Sequence, residues 1–164
     1  MNKWRIGLFV LVFCSFPFTA LAQQYNVQLS AAEKEHILDG PFKMVSRTEA
    51  MPPHVKQAFS TITSEPSFAL ANPGQKYQVT DVEVDRSLPR RRLVFAGVLG
   101  EEWFVHYERG GIGHSYCVLL FKVDPQNRLR FVWGGAGFHG AKNLDQLRQM
   151  VDAGQFSDER RYDW

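Results

Sequence analysis

The stretch SYCVLLFKV, residues 115–123, reads as an extended strand that is apolar on both faces. Cys117, Leu119, Phe121 and Val123 fall on one side of an alternating chain, and Tyr116, Val118 and Leu120 on the other. A strand at a wetted sheet face alternates apolar with polar residues. One that is apolar on both sides is predicted to be central and covered above and below.

Its surroundings have the texture of an antiparallel meander. Residues 124–127 (DPQN) are a turn signal with proline in second place, and they lead into a strand over 129–133. Upstream, residues 102–108 form a strand joined to 115–123 through 109–114, and Leu99 and Gly100 turn the chain back to a strand over 93–98. A further strand is predicted over 77–84, with a phase change near Asp81 that suggests a bulge.

Helical signals flank this region. Ser30 and Glu33 have the spacing of a capping box, and the helix they start is expected to stop at Gly40 and Pro41. A second helix starts near Pro52 and Pro53 and buries Val55, Ala58, Phe59 and Ile62. Asn143 caps a last helix that carries Leu144, Leu147, Met150 and Val151 on one face and stops at Gly154. The fold class is therefore α+β: a meander of about five strands, with N-terminal helices and one C-terminal helix packed on it.

The N-terminus carries an address. Lys3 and Arg5 precede a mostly apolar run over residues 6–18, and Ala20, Leu21 and Ala22 follow. This pattern predicts a signal peptide over 1–22, removed after Ala22. The run of 13 residues is shorter than the roughly 20 a spanning helix needs. The bulky Phe13 before Cys14 argues against lipid attachment there. Removing 22 of the 164 residues leaves 142, one α+β domain over 23–164, placed in the periplasm or secreted and not inserted in a membrane. Losing Lys3 and Arg5 from the 19 basic residues balances the 17 acidic ones. No nucleic-acid partner is expected from a neutral chain, and any charged partner must be drawn by a local patch. Cys117 becomes the lone cysteine, so no disulfide framework is expected.

In an up-and-down meander, alternate connections share one end of the sheet. The connections around 86–90, 109–114 and 134–142 fall together, rich in glycine and basic residues. The expected binding residues are Arg109, Gly111, Gly113, His114, Gly135, Gly137, His139 and Lys142, with Trp133 and Phe138 as an apolar floor. Neither glycine run has the lysine and hydroxyl of a P-loop or the spacing of a dinucleotide loop, so no cofactor is expected. No HExxH or comparable ligand spacing points to a metal.

The first functional reading is a non-catalytic binding module of the inhibitor or immunity-protein kind, holding an envelope protein or a small anionic ligand. Size and element order resemble those of small periplasmic inhibitor and cystatin-like domains, a likeness of layout with no diagnostic motif behind it. The alternative is a small hydrolase or thiol enzyme. If Glu108 lies opposite Ser115, His106 faces Cys117 across the hairpin, and imidazole would draw the thiol toward thiolate. His114 with His139 is the other catalytic pairing considered.

Overall fold

The computed structural model describes residues 28–159, except Asp81, Glu83, Val84 and Ile112; the predicted signal peptide and the last five residues lie outside them. Three α-helices and six strands follow in the order α1 (Ala31–Asp39), β1 (Lys43–Val45), α2 (Pro53–Ile62), β2 (Arg91–Leu99), β3 (Glu102–Arg109), β4 (Ser115–Val123), β5 (Leu129–Gly137), α3 (Leu144–Asp152) and β6 (Ser157–Asp158). The strands form one antiparallel sheet in sequence order, β1 to β6. This is the α+β arrangement that the sequence predicts.

Local chemistry explains the element ends. Ser30 Oγ accepts from Glu33 N–H at 3.2 Å while Ser30 N–H donates to the Glu33 carboxylate at 3.3 Å, closing the capping box. Asn143 Oδ1 caps α3 by accepting from Gln146 N–H at 2.9 Å. At the β4–β5 turn the Asp124 carboxylate accepts from the N–H groups of Gln126 and Arg128. Asn127 there takes a positive φ of 61°, a conformation asparagine tolerates.

β4 is covered on both faces, as its composition requires. On one side α2 packs Val55, Ala58, Phe59 and Ile62 against Tyr107, Cys117, Leu119 and Phe121. On the other, Ile37 of α1 and Leu147, Met150 and Val151 of α3 close over Phe104, Val118, Leu120 and Trp133. Burying each large apolar side chain stabilises the fold by about 1.5–3 kcal/mol, so these two layers dominate stability. Lys34 joins α1 to α3 through Asp152 at 2.9 Å.

Three sequence expectations are corrected. The described residues of 77–84 are not a strand: Gln78 N–H donates to Pro89 O, and the chain loops out between them. The edges of the sheet are instead the short β1 and β6. β5 runs on through Gly134, Gly135 and Gly137, beyond the strand end at Trp133 that the glycines predict. Register shifts are present, but between Leu93 and Phe95 of β2 and between Leu120 and Phe121 in the β4–β5 ladder.

Candidate functional site at the loop end of the sheet

The topology separates two unlike ends. One has the tight turns at Gly100 and at Asp124. The other gathers the start of β2, the end of β3, the start of β4 and the end of β5, with the connections 75–90, 110–114 and 138–143. The first two of these connections are packed on each other. Gly111 N–H donates to Val79 O at 2.8 Å, and Gly110 N–H to Arg90 O at 3.3 Å. A Cβ on Gly110 would lie 2.0 Å from Gln78 O, so only glycine allows the two backbones to touch. A Cβ on Gly140 would likewise meet the Tyr116 ring at 2.4 Å.

Glu108 is the hub beneath these loops. Its carboxylate takes Arg92 Nε at 3.0 Å on one oxygen and His114 Nε2 at 2.8 Å on the other. Tyr116 OH lies 3.5 Å from the latter oxygen. Burial pushes the Glu108 carboxyl up, but the hydrogen bonds from Tyr77, Arg92 and His114 outweigh it and hold the group below its ordinary value. Tyr77 is pushed the other way, chiefly by burial and then by Glu108, and the Arg92 guanidinium stacks over its ring at 4.5 Å. An open groove of about 470 Å³ runs past this cluster, lined by Arg92, Glu108, Tyr116, Gly140, Ala141 and Lys142 among others.

The predicted thiol–imidazole pair is not formed. The β3–β4 ladder places Arg109 opposite Ser115, so Tyr107 faces Cys117 and His106 faces Val118. One residue of register sends His106 and Cys117 to opposite sides of the sheet. Cys117 is fully buried beside Tyr107, and burial pushes its thiol up, away from the reactive thiolate. His106 is also fully buried: its Nδ1 lies 2.9 Å from Cys117 O and its Nε2 accepts from Ala141 N–H at 3.0 Å.

The other expected residues divide. His114, His139 and Lys142 are exposed at the loop end, and Gly111, at φ 113°, and Gly113 lie in the β3–β4 connection. Arg109 points to the α2 side, opposite Glu108, where its charge acts on Tyr107 and Cys117. Gly135 and Gly137 belong to β5, where they make room for Trp133, Phe156 and the backbone at Gln155. Trp133 is core, its Nε1 donating to Asp158 Oδ1 at 2.8 Å, so it forms no floor for a ligand.

Compared with known proteins, the chain matches no family model, no curated protein and no solved structure. The chemistry of this end must be read from its own side chains. Among the described residues no group of three or more His, Cys, Asp or Glu could hold a metal ion, and no helix is long and apolar enough to cross a membrane.

Sequence reasoning missed Tyr77 and Arg92 as members of the cluster and, apart from Phe138, the apolar residues of the loops. Val79, Val82 and Phe138 are 53%, 71% and 86% exposed, and the remaining exposed large apolar residue among the described ones, Met44, lies on β1. The Val82 carbonyl accepts from the Gln78 amide and from Thr80 Oγ1. The signal in the sequence was isolated apolar residues between turn formers, which periodicity analysis discards.

Proposed function

We propose that the protein is an exported, non-catalytic binding module that recognises a partner protein through the loop end of its sheet. The observation carrying this reading is the placement of exposed apolar side chains. Three of the four large ones among the described residues sit on two connections at one end. Scattered singly, such residues need no explanation; collected on built loops, they favour an interaction surface. His139 and Lys142, both exposed, flank Phe138 on its own connection and add positive character there. The fitting occupant is therefore an apolar segment with acidic neighbours on a periplasmic or secreted protein. The leader pattern of residues 1–22 supports export.

The thiol enzyme is disfavoured by burial. Cys117 has no route to solvent, and both nitrogens of His106 are engaged in the core. Nor does any contact join His114 to His139; His114 is held by Glu108 and packs on Tyr116.

The test is capture of exported proteins on the immobilised wild type and on a Val82→Asp/Phe138→Asp variant, each shown to be folded. A stoichiometric protein held by the wild type and lost by the variant supports the reading. Equal capture, or capture by neither, contradicts it. Binding of small carboxylates or phosphates alone would replace the protein partner with an anionic ligand.

A further inference from the structure

The segment 138–142 carries Phe138, His139 and Lys142 and forms one wall of the groove, yet its attachment to the sheet is narrow. Ala141 is buried and donates its N–H to His106 Nε2 at 3.0 Å. Gly140 lies against the Tyr116 ring, and Lys142 N–H donates to Gln146 Oε1 at 2.9 Å. The first of these bonds fixes a protonation state. Nε2 accepts, so it carries no proton; Nδ1, 2.9 Å from the Cys117 carbonyl, must carry the only one. An imidazolium has no lone pair, so the charged ring cannot hold Ala141.

We propose that His106 is a proton-operated latch on the 138–142 segment: the neutral ring holds the segment on the sheet, and the charged ring releases it. The surroundings suit such a device. Phe95 from β2, Tyr116 from β4 and Phe156 from the C-terminal segment pack on the ring, with centroids 5.2, 6.2 and 6.0 Å away. Of these only Tyr116 is titratable, and burial holds its phenol above the ordinary value. The charged groups on the same side of the sheet are Glu108, two residues along β3, and Arg92, which is paired with it. His139 and Lys142 are exposed on either side of Gly140 and the buried Ala141. The Cys117 thiol faces the other layer. Nothing among these compensates a charge on His106.

Burial, opposed by the hydrogen bond to Cys117, lowers the His106 value from 6.5 to about 4. Release opens Nε2 to water and moves the value back toward the ordinary one, while Phe95, Tyr116 and Phe156 stay on the ring. The latched state therefore binds fewer protons than the released one, so latching is complete above pH 6.5 and weakens as pH falls toward 4. Opening at Ala141 is expected to rise by up to about tenfold per pH unit in this window, with about 300-fold across it as the upper limit. Whether release sheds a partner rests on the function proposed above; the latch itself does not.

The test needs no partner. Amide hydrogen exchange of the whole chain is followed from pH 7.5 to 4, corrected for intrinsic rates, alongside imidazole ¹⁵N spectra. The expected result is an unprotonated Nε2 at neutral pH and a selective rise of Ala141 exchange as pH falls. Val105 and Leu119, in the centre of the sheet, should stay protected. Ala141 exchange that does not change, or that rises only together with Val105 and Leu119, overturns the proposal. So does a proton found on Nε2 at pH 7.5. In His106→Gln the amide keeps a donor and an acceptor but does not titrate, so Ala141 exchange should be independent of pH. Should that variant fail to fold, the wild-type titration decides alone.

Discussion

His114 Nε2 lies 2.8 Å from Oε1 of Glu108, whose other oxygen takes the Arg92 guanidinium. This nearly buried carboxylate joins β2, β3 and the β3–β4 connection at one point. Removing it takes the shared acceptor away from Arg92, His114 and Tyr77. Because Arg92 and His114 retain some contact with water, Glu108→Ala is expected to cost about 2–3 kcal/mol, toward the lower end for a broken buried pair. The measurement is a urea midpoint at unchanged slope.

The same carboxylate makes an acid-sensitive contribution to stability. Its value is lowered from the ordinary 4.5, so this contribution is complete above pH 4.5 and is lost as pH falls through the lower folded value. Stability measured against pH should show that loss in the wild type. In Glu108→Gln this part of the slope should vanish.

Gly110 and Gly113 sit in one connection and should behave oppositely. A Cβ on Gly110 meets the Gln78 carbonyl oxygen at 2.0 Å, whereas one on Gly113 meets nothing within 4 Å. Gly110→Ala must push the 75–90 and 110–114 connections apart and is expected to destabilise by about 1–3 kcal/mol. Gly113→Ala should stay within about 0.5 kcal/mol of the wild type. Thermal melts of the two variants check both.

Cys117 should resist thiol reagents in the native protein and react only at the rate of unfolding, since no exposed surface leads to its sulfur. Cys117→Ala is expected to cost about 1 kcal/mol, the scale of a small core cavity. Rapid labelling of the native protein would restore a chemical role for the thiol.

Where the chain speaks through local chemistry, the sequence was readable. The Ser30–Glu33 capping box, the Asn143 cap, the Asp124 turn and the two-sided β4 all follow from short-range rules, and each is present. What was misread depended on distant partners. β1 has three residues and β6 two, too few for periodicity, and both exist because β2 and β5 offer them an edge. The β5 glycines look like loop until Trp133 and Phe156 are seen occupying the space a side chain would need. The His106–Cys117 pairing failed by one residue, because a five-residue connection does not fix register in the way a two-residue hairpin turn does. At the loop end, the three-connection grouping was legible from strand direction. Its charge was not: Glu108 takes up Arg92 and His114, and Arg109 turns to the other layer.

The central claim is that Phe138 and its neighbours hold a partner. Its most direct measurement is a binding isotherm of the captured partner, purified, against wild type, Phe138→Asp and Met44→Asp. Both residues are exposed, but Met44 lies on β1, away from the loop end. Phe138→Asp is predicted to weaken binding roughly 30-fold, the scale of a lost hot spot of about 2 kcal/mol, with Met44→Asp unchanged within about twofold. Loss in Met44→Asp with Phe138→Asp unaffected would contradict the account and move the interface to the β1 edge.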